Sequence, residues 1–171
     1  DGNGRIGRLL LYKQCLKEGL TPLIVDDLNK ATYYSALGDD DQKYFLARLI
    51  QAFAPGIPQV YYVGFLAGKN DLELLESTKE GRNINRHYYS SEEIAKEVKR
   101  PVVKALLNLF TYRNQSAAFD LDGRIEVETP NEATIVIERQ NKDGSHIAKA
   151  EINLQDMTYR VTENDQTISF E

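Results

Sequence analysis

The chain carries a single cysteine, Cys15, among its 171 residues. One thiol cannot build an internal disulfide framework or a cysteine-based zinc centre, and it suits a reducing, cytoplasmic setting. No apolar run approaches the roughly 20 residues that a spanning helix requires, and no secretory leader is visible. A basic excess is also missing: 21 Lys and Arg stand against 26 Asp and Glu, for a formal net charge of −5. That balance argues against nucleic acid or an anionic membrane as partner. Low-complexity tracts, internal repeats and flexible linkers are absent as well. With 42% hydrophobic and 27% charged residues, what remains is an ordinary globular composition, enough for one domain or two small ones.

Three kinds of pattern follow one another along the chain. Leu9, Leu10, Leu11, Leu16 and Leu20 favour a helix that Gly19 and Pro22 stop, and Leu23 to Val25 is a short apolar run. A second helix is expected over Asp41 to Phe53, where Phe45, Leu49 and Phe53 recur every four residues. The acidic triplet Asp39–Asp41 at its start suits capping and the helix dipole better than a metal. After the break Ala54-Pro55-Gly56-Ile57-Pro58, the run Gln59-Val60-Tyr61-Tyr62-Val63 reads as a strand buried on both faces, as in a parallel sheet. Helix, turn and buried strand in that order point to α/β architecture.

Residues 64 to 90 form a long polar and aromatic connection with a helical turn expected at Leu72 to Leu75. Connections of this length are commonly lids or binding loops. Ser90-Ser91-Glu92-Glu93 is a capping box, and Pro101 opens a helix with Val102, Leu106, Leu109 and Arg113 on one face. Beyond Asn114 the period drops to two, and about five short antiparallel strands are expected from residue 120 onward. Thr129-Pro130-Asn131 and Asn141-Lys142-Asp143-Gly144 mark turns between them.

The opening octet has its own chemistry. Glycines and an Asn at a helix start can turn several backbone N–H groups inward as an anion nest, which Gly2, Asn3 and Gly4 would form. Arg5 and Arg8, three apart, could both reach one phosphate chain, and Asp1 could hold Mg²⁺. A glycine-rich turn with solvated arginines explains the same residues. The string Asp1-Gly2-Asn3-Gly4-Arg5-Ile6-Gly7-Arg8 closely resembles the core motif of the Fic family. The resemblance implies a nucleotide-phosphate site that uses ATP and Mg²⁺ to transfer AMP. The family's His-Pro-Phe element, with its general-base histidine, has no counterpart here, so adenylyl transfer is not expected.

From Thr32 onward the motifs are of another kind. Thr32 to Asp40, Pro55 to Gly64, Ala67-Gly68-Lys69-Asn70-Asp71 and Gly81 to Tyr89 resemble the sucrose phosphorylases of glycoside hydrolase family 13. The resemblance runs to the C-terminus. It implies that 32–117 is the end of a (β/α)₈ barrel and 118–171 a small antiparallel β-domain, behind a Fic-like segment over 1–31. Such enzymes are retaining glucosyltransferases that convert sucrose and phosphate to glucose 1-phosphate and fructose without a cofactor. Their two catalytic carboxyl groups would lie upstream of Thr32, so no catalytic residue is assigned.

By the same resemblance, Arg82 contacts phosphate or fructose, and a guanidinium is a good bidentate ligand for phosphate. Many sequences of the family it resembles carry Asp after this arginine; here the residue is Asn83, which is expected to loosen the orientation of the arginine slightly. Arg86 and His87 are expected to pack the loop, and Tyr88 and Tyr89 to form its wall or core. A barrel of this class needs about 250 residues to close, and the first residue is Asp1, not Met. The chain is therefore expected to be an inactive, apparently chimeric fragment. A third reading makes the β-region a non-catalytic binding module, but Tyr159 and Phe170 are the only aromatic residues in 124–171, too few for a sugar platform.

Overall fold

The structure, a computed structural model, describes residues 31–171. A short helix, α1 (Tyr33–Ala36), precedes the first long one, α2 (Asp41–Phe53). Asp40 caps α2 by accepting from the backbone N–H groups of Gln42 and Lys43, each at 3.0 Å. This satisfies donors that a helix start leaves unpaired and places negative charge at its positive end. Asp41 accepts from the Tyr34 hydroxyl at 2.7 Å, and Asp39 from the Ser35 hydroxyl at 2.8 Å. The acidic triplet is thus engaged locally, as expected. Pro55 ends α2 by forcing Ala54 into extended backbone, ψ 157°.

The run Gln59–Val63 departs from expectation. Its chain is extended only to Tyr61 and then enters a single helical turn, α3 (Tyr62–Phe65). Ile57, Tyr61 and Tyr62 are 77%, 53% and 41% exposed, and Val63 alone of the run is buried. A strand persists through hydrogen bonds to a neighbour, and among the described residues no strand flanks this one. The parallel sheet, and with it the α/β reading, is therefore not formed in the described region. The long connection that follows is also more ordered than expected. It holds α4 (Leu72–Thr78) and a 3₁₀ turn, Gly81–Asn85.

Two further helices come next, α5 (Ser91–Glu97) and α6 (Pro101–Gln115), then a 3₁₀ turn at Ala117–Phe119. Ser90 and Glu93 form the reciprocal capping box of α5. Pro101 sits in the first turn of α6, where its missing N–H costs nothing. Val102, Val103, Leu106, Leu109, Phe110 and Arg113 make the buried stripe of α6.

Five strands then form an antiparallel meander in the order β1 (Arg124–Asn131), β2 (Thr134–Gln140), β3 (Ile147–Asn153), β4 (Thr158–Glu163) and β5 (Gln166–Ile168). Thr129-Pro130-Asn131 does not turn the chain. It lies at the irregular end of β1, where the register shifts between Glu128 and Asn131. An edge strand tolerates proline at such a point, and the chain reverses at Glu132–Ala133. Asn141–Gly144 turns as expected, with Gly144 at φ +76°. Asn164 and Asp165, at φ +47° and +68°, form the two-residue turn between β4 and β5 that matches strand twist.

The register aligns Val127, Ile137, Ala150, Val161 and Ile168 in one row across all five strands. Val127 is exposed at the end of that row, and the rest of it, with Ile135, Ile152 and Tyr159 alongside, faces the helices. Tyr44, Phe45, Leu49 and Phe53 of α2 and Leu106, Leu109 and Phe110 of α6 join it in one continuous core. Helical layer and sheet therefore share their apolar interior within Ala31–Glu171. Among the described residues no helix is long and apolar enough to cross a membrane.

Candidate functional site

The segment that carries Arg82 is held as a closed loop between two helix starts. Asp71 caps α4 by accepting from Leu74 N–H at 2.8 Å. Its own N–H donates to the Ile84 carbonyl, also at 2.8 Å, which ties the base of α4 to the 3₁₀ turn thirteen residues on. Lys79, left-handed at φ 56°, ends α4 and redirects the chain into that turn. Asn83 is buried there, and its Nδ2 donates to Thr78 Oγ1 at 2.9 Å. Asn83 therefore stitches the turn to α4, and no hydrogen bond joins its side chain to Arg82.

His87 completes the closure. Its Nδ1 stands 2.6 Å from Asp71 Oδ2 and its Nε2 stands 3.3 Å from Glu93 Oε1. The ring packs edge-on against Tyr89 with centroids 4.5 Å apart, and the Tyr62 hydroxyl donates to the His87 carbonyl at 2.8 Å. The hydrogen bond to Asp71 raises the imidazole pKa above its ordinary value, and the bond to Glu93 adds to it. Asp71 and Glu93 are displaced the other way. The backbone N–H of Leu74, then His87, lowers Asp71, and the backbone N–H of Ser90 leads the lowering of Glu93. Carboxylates held ionised in this way are poor proton donors, so neither suits a general acid.

A polar groove of about 530 Å³ opens beside this closure, lined in part by Gly68, Lys69, Asn70, His87, Tyr89 and Arg100. Arg100 spans its floor: Nη1 donates to Glu97 at 2.8 Å and to the Ala67 carbonyl at 3.2 Å. The same guanidinium lies over the Tyr34 ring, 5.5 Å from its centroid. Burial, then the hydrogen bond to Asp41, pushes the Tyr34 phenol up to about 12. Gly68 is required by this packing, since a Cβ would lie 2.2 Å from the Tyr89 hydroxyl and 2.7 Å from Val63.

Arg82 itself is exposed and does not line that groove. Its Nε donates to Glu80 Oε2 at 3.1 Å, and its side chain is 54% exposed. The structure pairs Arg82 with Glu80 alone among the described residues, and leaves its guanidinium open to a ligand that can compete with Glu80. Asp1, Gly2, Asn3, Gly4, Arg5 and Arg8 lie outside the described residues. Among the described residues no group of three or more His, Cys, Asp or Glu is placed to hold a metal ion. Tyr88 is 74% exposed and forms neither core nor loop wall, because the chain between two helix caps leaves it no partner surface. His87 is more than the loop packing expected of it. Its sequence signal was available in the two N-caps, Asp71 and Ser90, that bracket a histidine.

No family model matches the chain, so the Fic-family segment expected at residues 1–31, and the chimera it implied, gain no support. Over 141 residues the chain is 99% identical to the sucrose phosphorylase of Streptococcus mutans serotype c, a match that covers 82% of this chain and 29% of that protein. It is 58% identical over 105 residues to the sucrose phosphorylase of Bifidobacterium adolescentis, covering 61% of this chain and 20% of the relative. Among solved structures, sucrose 6F-phosphate phosphorylase from Thermoanaerobacter thermosaccharolyticum superposes with a TM-score of 0.74 at 42% identity, over 81% of this chain and 28% of that one. The chain thus spans less than a third of the length of these relatives. The likeness is to the C-terminal part of such an enzyme.

Proposed function

We propose that the chain is the C-terminal portion of a sucrose phosphorylase, a glucosyltransferase that moves glucose from sucrose to phosphate and releases fructose. The observation that carries this is the 99% identity over 141 residues, as many as the described residues 31–171 contain. Residues 32–117 would close the last part of a (β/α)₈ barrel and 118–171 the small β-domain against it. The exposed side chains of Ile57, Tyr61 and Tyr62 fit that reading, since in a whole barrel an apolar extended stretch would find neighbouring strands. A retaining transfer needs two carboxyl groups roughly 5 Å apart. This reading places them in the remainder of the enzyme, so the chain alone would not turn over sucrose. The reaction requires no cofactor and belongs to the cytoplasm.

Within that enzyme, Arg82 would bind phosphate or fructose at the mouth of the barrel. Its guanidinium is free on the side away from Glu80, and the fork geometry matches a phosphate edge. The test uses a whole enzyme of the Streptococcus mutans type that carries residues 31–171 of this chain in place of its own segment. Phosphate-dependent release of fructose is expected to be retained. Arg82→Ala is expected to raise the KM for phosphate or fructose about 10- to 100-fold, the loss of one or two charge-assisted hydrogen bonds. A loss of turnover on segment exchange would refute the assignment of the chain, and an unmoved KM would refute that of Arg82.

A further inference from the structure

His87 faces a carboxylate from each ring nitrogen, Asp71 at 2.6 Å and Glu93 at 3.3 Å. An ionised carboxylate can only accept, and a neutral imidazole has only one N–H to give. The arrangement is therefore fully satisfied in one state alone, the imidazolium, which donates from both nitrogens. The two acceptors belong to different helices, for Asp71 caps α4 and Glu93 sits in the capping box of α5. Everything between those helices, the 3₁₀ turn Gly81–Asn85 included, is the segment that presents Arg82.

We propose that His87 is a proton-operated clamp and a positioning residue for Arg82, holding the starts of α4 and α5 together when charged and releasing the link to Glu93 when neutral. This rests on the reading of Arg82 as a phosphate or fructose ligand. The surroundings are mixed in charge: Lys69, Asp71, Glu73, Glu93, Glu97 and Arg100 line the groove around the ring. The two carboxylates in hydrogen-bond contact outweigh the cations, which stand further off, and Tyr89 covers one edge of the ring. The raised imidazole pKa agrees with this geometry. With the linkage sign for a raised group, the clamp is fully set below the ordinary histidine value and opens as pH rises through the raised one.

The substitutions that test this leave both helix caps in place. Asn caps a helix about as well as Asp, and Gln serves a capping box as Glu does, so Asp71→Asn and Glu93→Gln keep the caps while they remove the charge and turn an NH2 donor, in place of an accepting oxygen, toward His87. In the chain itself, the His87 ring proton resonance, assigned by its loss in His87→Gln, is expected to titrate above the ordinary value of about 6.5. It is expected to move down in Asp71→Asn and in Glu93→Gln. In the whole enzyme carrying residues 31–171, the KM for fructose in the reverse reaction is read, because fructose has no titrating group in this range. That KM is expected to rise several-fold as pH climbs through the His87 transition, with kcat little changed. In His87→Gln it is expected to be high and flat across the same range.

A His87 resonance that titrates at or below the ordinary value, or ignores both carboxylate changes, overturns the clamp. A KM whose rise with pH survives in His87→Gln overturns the positioning role. The reading of Arg82 fails separately, when Arg82→Ala leaves KM unmoved while His87 still titrates high in the chain.

Discussion

Arg113 and Arg139 converge on the C-terminal end of α2 from different elements, one from α6 and the other from β2. Arg113 donates through Nε to the Ala52 carbonyl and through Nη2 to that of Gly56, both at 2.8 Å. Arg139 donates through Nη1 to the Ala54 carbonyl at 3.1 Å. They are 8% and 2% exposed, and both guanidiniums lie over the Phe119 ring, 5.2 and 5.3 Å from its centroid. Burial lowers the pKa of each, and the charge of Arg113 lowers that of Arg139 further. Two like charges are held here because the end of a helix presents unpaired carbonyls and partial negative charge, and the ring face adds attraction.

Arg113→Met keeps much of the apolar stem and removes the donors. The buried Ala52 carbonyl at the helix end would then lack its partner, and that of the exposed Gly56 would be left to water. The expected loss is about 2–4 kcal/mol of unfolding free energy, read from urea denaturation. A loss below about 0.5 kcal/mol would mean that water replaces the guanidinium freely, and the helix end would then not be sealed as described.

Phe170, next to the last residue, is 1% exposed and contacts three aromatic rings, with centroids at 6.0 Å to Phe45, 5.7 Å to Tyr112 and 6.4 Å to Tyr159. Asn108 Nδ2 also donates to its carbonyl at 3.2 Å. Phe170→Ala leaves that backbone bond possible and empties the space between α2, α6 and β4. The expected cost is about 3–5 kcal/mol, seen as a lower denaturation midpoint. A change under about 1 kcal/mol would show that this end of the chain contributes little to the core.

The parts of this fold that sequence conveyed are those whose causes are local. α2 was legible from Phe45, Leu49 and Phe53 because the period of a helix is written in adjacent turns. The meander was legible because Ile135, Ile137, Ile152 and Val161 alternate with polar residues, and one face of an antiparallel sheet is covered. Gln59–Val63 was misread for the opposite reason: its composition suits a strand, but among the described residues no neighbouring strand supplies the hydrogen bonds that one needs. The site divides the same way. Arg82 was marked only by resemblance, whereas the His87 link to Asp71 and Glu93 joins residues 16 and 6 positions apart, and no periodicity reports it.

Tyr112 offers a polar atom whose removal should help. Among the described residues its buried hydroxyl has no hydrogen-bond partner, while its ring contacts Phe119 at 5.8 Å and Phe170 at 5.7 Å. Burial first, then the charge of Glu163, pushes the phenol pKa up. Tyr112→Phe keeps both ring contacts and removes the unpaired group. Stability is expected to stay level or rise by up to about 1 kcal/mol. A loss larger than that in a thermal melt would reveal a partner for the hydroxyl.

Acid should erase the cap that Asp40 places on α2. Asp40 accepts from Lys43 and Gln42 N–H at the start of α2, and the backbone bond from Lys43 is the chief reason its pKa lies below the ordinary 3.8. A lowered carboxylate contributes stability above its unfolded value, and that contribution fades as pH falls through the folded one. Asp40→Ala is accordingly expected to melt at a lower temperature than the parent at neutral pH, with the gap narrowing once pH drops below 3.8. Asp40→Asn keeps an acceptor for the same N–H groups but never carries charge, so its melting temperature should fall between the two at neutral pH. Its difference from the parent measures the charge, and its difference from Asp40→Ala measures the hydrogen bonds. An alanine gap that stays constant into acid would trace the effect to backbone preference at position 40 and rule out the ionised cap.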